Sequence, residues 1–338
     1  MRIAQVAPLS FSVPPKLYGG IERVVSYLTE ELVTEGHEVT LFASEGSETS
    51  AKLVAVCPEW QVDTHEDRLP YYNRMMELVF ADVSRFDVIH FHTENIQLPW
   101  LQRYPRPNVT TLHAEVGPHM KPLIDEYNPG LVSISNNQRL PFPEANWQAT
   151  VYHGLPRDLY TFRERPGDYL AFIGRASPTK RLDRAIAIAR QAGMKLRVAC
   201  KIYPGDDHYQ QDIEPQLEQA RDLVEFVGQV GGREKDEFLG QARALLFPID
   251  WPEPFGLVMI ESLACGTPVI AWRNGSVPEV IDDGSTGFIV ESLEEAVWAV
   301  DQISGLSRQT CRQVFEDRFD AARMTREYVE IYRRLAQA

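Results

Sequence analysis

The sequence predicts an α/β protein made of two doubly wound parallel-sheet domains. The chain has 338 residues, a length typical of two domains. Hydrophobic residues make up 44% and charged residues 24%, as in ordinary globular proteins. Short apolar runs alternate with amphipathic helical runs along the chain. This alternation is typical of parallel strands joined by crossover helices.

The first half begins with an apolar strand at residues 3–7, followed by a helix whose apolar positions recur at helical spacing. Gly36 supplies a stop for that helix. Further strands are predicted at residues 39–43, 88–91, 109–112 and 131–134.

The polar segment 156–168 contains two prolines and is the predicted domain boundary. A second series of strands follows at residues 169–173, 196–200, 224–227, 245–247, 269–271 and 288–290. Helices fit between them, for example at residues 182–191 and 257–264.

The last segment predicts a helix with one apolar stripe formed by Met324, Tyr328, Ile331, Tyr332 and Leu335. Packing on the rest of the protein is the favoured interpretation. Several arginines on the same segment leave peripheral membrane contact open as an alternative.

Charge and cysteine content exclude several classes of protein. The net charge of −14 argues against general nucleic-acid binding. The four cysteines are far apart, no His-Glu-x-x-His or Asp-x-Asp motif is present, and no metal site is expected. No apolar run approaches the length of a membrane span, and no signal peptide is recognisable, so a cytoplasmic protein is predicted.

The strongest motif is residues 251–261, in which Glu253 lies in a Pro-rich turn and Glu261 inside the helix that follows. Gly256 permits close approach of a ligand to the backbone, and the helix start offers amides to a phosphate. Two carboxylates could accept hydrogen bonds from the hydroxyls of two different sugars. The alternative is that both glutamates are solvated.

A second motif, residues 172–181, places Arg175, Lys180 and Arg181 between a predicted strand and a helix expected to begin near residue 178 or 179. Arginine and lysine there suit a diphosphate. A solvated helix start is the alternative, although cations oppose the helix dipole at that end.

Two weaker signals come from the first half. Gly19 and Gly20 follow the first strand, within Tyr18-Gly19-Gly20-Ile21-Glu22, without the fingerprints of a nicotinamide dehydrogenase or a P-loop nucleotidase. His113 ends a predicted strand, where open α/β sheets bind ligands. Three more histidines in similar positions weaken the case for His113, namely His90, His92 and His153.

Together, these segments resemble glycosyltransferase family 4 over essentially the whole chain. The spacing of Glu253 and Glu261 is similar to the family's E-x7-E motif. The other segments that carry the resemblance are Gly19-Gly20, residues 36–39, 133–135, 174–180, 264–269 and 275–279, and the helix ending Tyr328…Tyr332.

The resemblance implies the GT-B fold, with two Rossmann-like domains facing a central cleft, and a retaining, metal-independent enzyme without cofactor. Residues 1–157 would bind the acceptor and residues 166–315 the nucleotide sugar. A C-terminal helix at 316–338 would cross back to the N-terminal domain.

The resemblance also implies site roles. Arg175 and Lys180 would bind the donor diphosphate, Glu261 the ribose and Glu253 the transferred sugar. Further donor contacts would come from Gly19, Gly20 and the backbone amides of Phe255, Gly256 and Leu257. His113 matches the family's histidine near the transferred sugar. Val230, just after a predicted strand, is expected to border the base.

The function predicted from the sequence is hexose transfer from a UDP- or GDP-linked sugar to an acceptor hydroxyl. A same-fold glycoside phosphorylase and an inactive sugar-nucleotide-binding protein are the alternatives. Acceptor contacts are expected from residues 11–18 and 92–100, which do not identify the acceptor, and the oligomeric state is left open.

Overall fold

The computed structural model describes residues 1–17, 19–58, 68–202 and 207–337. The chain divides into two compact units. Unit 1 comprises Met1–Pro156 and Asp320–Ala338, and unit 2 comprises Arg157–Phe319.

Unit 1 contains a seven-stranded parallel sheet with strand order β3-β2-β1-β4-β5-β6-β7. The register places Ile3 beside Val39 on one side and Val88 on the other. The strands are β1 (Arg2–Val6), β2 (Glu38–Ala43), β3 (Lys52–Ala55), β4 (Val88–Phe91), β5 (Asn108–Thr111), β6 (Leu131–Ser133) and β7 (Trp147–Thr150).

Helices of unit 1 cover this sheet because each presents apolar residues at helical spacing. They are α1 (Gly20–Thr34), α2 (Leu69–Ala81), α3 (Leu98–Leu101), α4 (Lys121–Tyr127) and the last helix of the chain, α12 (Ala321–Gln337). Short 3-10 segments lie at Val83–Arg85, Pro118–Met120 and Asn137–Arg139.

The last helix packs within unit 1, against α1 and β4. Met324, Tyr328, Ile331 and Tyr332 of the predicted stripe are buried, so this face is part of the protein interior. The helix begins at Ala321; residues 308–318 form a separate helix in unit 2. Within the described ranges, no helix has the length and apolarity needed to cross a bilayer.

Unit 2 contains a six-stranded parallel sheet with strand order β10-β9-β8-β11-β12-β13. Leu170 of the central strand is paired with Leu196 and with Ala244. The strands are β8 (Tyr169–Arg175), β9 (Lys195–Lys201), β10 (Val224–Gly228), β11 (Ala244–Phe247), β12 (Val269–Trp272) and β13 (Gly287–Val290).

The helices of unit 2 bury a second hydrophobic core against its sheet. They are α5 (Leu182–Ala192), α6 (Glu214–Gln219), α7 (Gly232–Gly240), α8 (Leu257–Ala264), α9 (Val277–Val280), α10 (Leu293–Gln302) and α11 (Arg308–Arg318). A π-helical segment at Tyr209–Ile213 and a 3-10 segment at Ile303–Gly305 complete the unit.

The predicted parallel α/β architecture is confirmed, with two kinds of difference. Strands β3 and β7, which are the edge strands of unit 1, were not predicted from the sequence. Their residues are only partly buried, so they lack the continuous apolar runs that mark the inner strands. The helix expected near residue 178 or 179 begins at Leu182 instead, because Arg181 adopts a left-handed backbone conformation with φ of 55°.

Candidate functional site

The strand order of each sheet marks the place where a ligand is expected. In unit 2, β8 lies between β9 and β11, so the direction of strand progression reverses beside it. Open α/β sheets bind ligands beyond the carboxyl ends of strands at such a switch point. The loops that leave β8 and β11 there contain residues 176–181 and 248–256.

Lys180 and Glu253 come from these two loops and form an ion pair between the lysine ammonium and Oε2 of the carboxylate. The Trp251 indole N–H donates a second hydrogen bond to the same oxygen, at 3.1 Å. The ammonium also lies 5.1 Å from the centre of the Trp251 ring, within the range of a cation–π interaction. Glu253 is 9% exposed, so the interpretation of Glu253 as a solvated turn residue is wrong.

The backbone of Glu253 is held by a close approach from Gly275. The Ser276 N–H donates to the Glu253 carbonyl at 2.9 Å. A Cβ atom at position 275 would lie 2.3 Å from both the backbone N and the O of Glu253, and φ at Gly275 is +54°. Only glycine fits this position, which ties the turn before α8 to the loop after β12.

The start of α8 directly follows this turn. Gly256 has φ of +78°, and no side chain caps the helix that begins at Leu257. The first amides of a helix carry partial positive charge and bind anions well. Phe255 is buried, and its carbonyl accepts a hydrogen bond from the Ser276 hydroxyl at 2.8 Å. The predicted backbone contacts at residues 255–257 therefore lie beside the Lys180–Glu253 pair.

Two of the three basic side chains of residues 172–181, those of Lys180 and Arg181, are paired with carboxylates of the chain itself. Arg181 makes ion pairs with Asp183 at 2.8 Å and with Asp250 at 2.7 Å. The charge of Arg181 is thus compensated by two carboxylates, and Lys180 is paired with Glu253. Arg175 is exposed at the end of β8 and forms no ion pair with any residue that the structure describes.

Glu261 has its own lysine partner, which the sequence analysis did not identify. Its Oε2 lies 2.5 Å from the Lys235 ammonium on α7, and Glu261 is 2% exposed. The solvated-helix interpretation of Glu261 is therefore wrong. Lys235 lies within the charged run 233–237, a composition typical of a solvated helix face, so its pairing with Glu261 is visible only in the packing of α7 against α8. Val230 lies between β10 and α7, the helix that carries Lys235.

Unit 1 has an equivalent switch point, because β1 lies between β2 and β4. Gly19 precedes α1, with Gly20 as the first residue of the helix, while Tyr18 lies outside the described residues. A Cβ at position 19 would lie 2.8 Å from Pro15 and 3.2 Å from the Glu22 carboxylate. Burial raises the pKa of that carboxyl to about 7.

His113 follows β5 and is in contact with two other histidines of unit 1. Its Nε2 lies 2.8 Å from Nδ1 of His92, and its ring stacks on that of His153, with 5.3 Å between ring centres. Burial lowers the pKa of His113 to about 3. The ring is therefore neutral at physiological pH and can both donate and accept one hydrogen bond.

The histidines that weakened the case for His113 form one cluster with it, in which His92 and His153 contact His113 and His90 contacts His92. Burial lowers the pKa of His90, His92 and His153 well below the ordinary value. His90 lies 4.0 Å from His92 between ring centres. Among the described residues, no group of three or more histidine, cysteine or carboxylate side chains is arranged to hold a metal ion.

The predicted site residues thus fall into two sets. Unit 2 brings together Lys180, Glu253 and residues 255–257, with Arg175 at the end of the adjacent strand. Glu261 lies on α8, the helix that begins at Leu257, and its carboxylate contacts Lys235 of α7. Unit 1 carries Gly19 and His113 on the loops that follow β1 and β5, and Gly20 at the start of α1.

Comparison with solved structures identifies the class of fold. AviGT4, a glycosyltransferase involved in avilamycin A biosynthesis, is 26% identical with a TM-score of 0.79, covering 100% of this chain and 98% of the other. HepE of Anabaena, solved with UDP-glucose, is 17% identical with a TM-score of 0.75, covering 100% of both chains. The two parallel-sheet units are those of the GT-B glycosyltransferases.

Sequence comparison then identifies the family. A model described as Glycosyltransferase Family 4 matches residues 18–206, and one described as Glycosyl transferases group 1 matches residues 163–314. The chain belongs to glycosyltransferase family 4, which confirms the resemblance. A phosphatidyl-myo-inositol mannosyltransferase of Mycolicibacterium smegmatis is 26% identical, covering 98% of this chain and 90% of the relative. A D-inositol 3-phosphate glycosyltransferase of Frankia alni is 28% identical, covering 86% of each.

Proposed function

We propose that this protein is a retaining hexosyltransferase that uses a nucleoside-diphosphate sugar, UDP- or GDP-linked, and needs no metal ion. The observation that carries the proposal is the Lys180–Glu253 ion pair beside the uncapped start of α8. This arrangement combines a cation and helix amides for phosphate with a carboxylate for sugar hydroxyls. The neighbouring structure of HepE with UDP-glucose supports a donor of this class.

In this proposal, the leaving diphosphate is stabilised by unit 2. As the bond between the sugar and the phosphate breaks, negative charge increases on the diphosphate. Arg175, Lys180 and the first amides of α8 would bind that charge, a contribution often worth several kcal/mol. A cationic side chain and fixed amides can supply this stabilisation from groups of the chain itself.

The two glutamates would hold the two sugars of one donor. Glu261 would accept hydrogen bonds from the ribose, with Val230 bordering the base. Glu253 would accept from hydroxyls of the transferred hexose. Glu253 Oε2 is already bound by Lys180 and by the Trp251 indole, which suits a binding group better than a free nucleophile. The acceptor hydroxyl would instead attack from the face that the diphosphate leaves.

Residues of unit 1 would complete the donor contacts. Gly19 and Gly20 would let the loop after β1 approach the donor, and His113 would contact the transferred sugar. The neutral state of His113 agrees with this role, because a neutral ring exchanges hydrogen bonds with hydroxyl groups.

The experiment is a turnover assay with UDP-glucose and GDP-mannose, measuring nucleoside diphosphate release with a panel of hydroxyl acceptors and with EDTA present. The expected result is release with one donor, undiminished by EDTA, and NMR of the product showing a retained anomeric configuration. Release restored only by magnesium or manganese would overturn the metal-independent mechanism. Sugar 1-phosphate formed with inorganic phosphate would identify a phosphorylase. Tight donor binding without any turnover would identify a binding protein.

A further inference from the structure

His113 ends a line of hydrogen bonds through buried polar side chains of unit 1. Its Nε2 is bonded to Nδ1 of His92 at 2.8 Å. Its Nδ1 is buried and makes no hydrogen bond to any residue that the structure describes. Most buried polar atoms have a partner, and an unsatisfied one costs free energy. A hydrogen bond from a bound group to Nδ1 would remove that cost.

Gln5 determines which nitrogen of His92 carries the proton. The Gln5 amide oxygen lies 2.8 Å from Nε2 of His92 and can only accept, so that nitrogen is the donor. Burial lowers the pKa of His92 well below its ordinary value, so the ring is neutral and its Nδ1 has no proton. His92 Nδ1 therefore accepts from Nε2–H of His113, which leaves His113 Nδ1 as a free lone pair.

Tyr332 of α12 holds the Gln5 amide in this orientation. The Gln5 NH₂ group donates to the Tyr332 hydroxyl at 3.1 Å. That hydroxyl lies 2.6 Å from Nδ1 of His90, to which it can donate in turn. The opposite rotation of the Gln5 amide would reverse these bonds and leave a buried N–H of His113 without an acceptor. Such orphaned donors are rarer in proteins than unfilled acceptor sites.

We propose that Gln5 and His92 are positioning residues that fix His113 as the Nε2–H tautomer, with Tyr332 holding Gln5 in place. Nδ1 of His113 is then only an acceptor. It takes a hydrogen bond from a hydroxyl of the transferred sugar and rejects a carboxylate at that position. The inference rests on the proposed contact between His113 and the transferred sugar, and it specifies that the group of that sugar facing Nδ1 is a hydroxyl that donates a hydrogen bond.

The tautomer is measured directly by ¹⁵N NMR of the full chain with labelled histidine, using His113→Gln to assign the signals. The expected spectrum has an unprotonated Nδ1 and a protonated Nε2 at His113. Tyr332→Phe and Gln5→Met should each populate both tautomers. The control is Tyr72→Phe, which removes a phenol hydroxyl of unit 1 that accepts from the Leu9 N–H and lies outside this line of bonds, and it should leave the His113 signals unchanged.

Two spectral outcomes overturn the proposal. One is a protonated Nδ1 at His113 in the unchanged protein. The other is a single, unchanged tautomer in every one of the variants Tyr332→Phe and Gln5→Met that folds, since the positioning role would then be absent. The use of two variants keeps the test decisive if one of them fails to fold.

The consequence for specificity is measured with UDP-glucose and its deoxyfluoro analogues, in which fluorine cannot donate. At one ring position, fluorine should raise the Kd of the donor in calorimetric titration by about 2- to 12-fold, the effect of one lost hydrogen bond. The effect of fluorine at that position should be smaller in Gln5→Met than in the unchanged protein. An equal penalty in Gln5→Met would overturn the positioning role. Failure of UDP-glucose and GDP-mannose to turn over at all would count against the proposed function, whereas the NMR result would stand independently.

Discussion

The ammonium group of Lys235 lies 2.5 Å from Oε2 of Glu261, and this pair joins α7 to α8 in the interior of unit 2. Glu253 is paired in the same manner with Lys180. Each of the two glutamates spaced eight positions apart therefore has its own lysine from a different element. The two carboxylates are held separately, as two binding groups of one donor would require.

Lys235→Met should destabilise the protein, because the Glu261 carboxylate would remain buried without its countercharge. We expect the free energy of unfolding to fall by about 1–3 kcal/mol in urea denaturation. Lys195→Met is the control, since the Lys195–Asp168 pair is exposed, with 3.4 Å between N and O, and exposed pairs contribute little. Equal effects of the two substitutions would contradict the structural role of Lys235.

Glu261→Gln and Glu253→Gln should have different effects on donor binding, because each glutamate is proposed to bind a different sugar of the donor. Glu261→Gln should weaken the binding of nucleoside diphosphate and complete donor alike, because both contain the ribose. Glu253→Gln should leave nucleoside diphosphate affinity nearly unchanged and lower turnover of the complete donor. Calorimetry and steady-state kinetics measure the two effects. Indistinguishable nucleoside diphosphate affinities for the two variants would refute this division.

Lys180→Ala should weaken nucleoside diphosphate binding by about 1.5–3 kcal/mol, the contribution of a charge-assisted hydrogen bond. The matched control is Arg181→Ala in the same loop. The Arg181 guanidinium is already neutralised by Asp183 and Asp250, so its loss should leave the affinity nearly unchanged. Calorimetric titration compares the two. If Arg181→Ala weakened binding as much as Lys180→Ala, the assignment of Lys180 to the diphosphate would be wrong.

Stability should decrease as the pH falls below about 6.5, the ordinary pKa of histidine. Burial lowers the pKa of His113 to about 3 in the folded protein, so between these values the unfolded chain binds the proton and the folded chain does not. Each such histidine costs up to about 1.4 kcal/mol per pH unit in this window.

His113→Gln should therefore reduce the dependence of the unfolding free energy on pH between 7.5 and 4.5, as measured by urea denaturation. His208→Gln is the control, because His208 lies in unit 2 beside Asp212, far along the chain from the histidine cluster. A pH dependence that His113→Gln leaves unchanged would show that the buried ring does not titrate in this way.

Apolar periodicity was sufficient to predict the inner strands and the main helices. Residues 88–91 and 257–264 were predicted with the bounds that the structure has for β4 and α8. The signal is strong there because both faces of an inner strand, and one face of each helix, must be buried. The edge strands β3 and β7 are half exposed, so their sequences lack this apolar pattern.

The family and the parallel two-unit fold were determined by local sequence: apolar runs, glycine turns and the spacing of Glu253 and Glu261. Tertiary structure alone decided which charges meet. It paired Lys235 with Glu261 and Arg181 with Asp250, and it linked Gln5, His92 and His113 in one line of hydrogen bonds. The physical reason is that hydrogen bonds and ion pairs act over about 3 Å, between side chains that only the folded sheets and helices bring together.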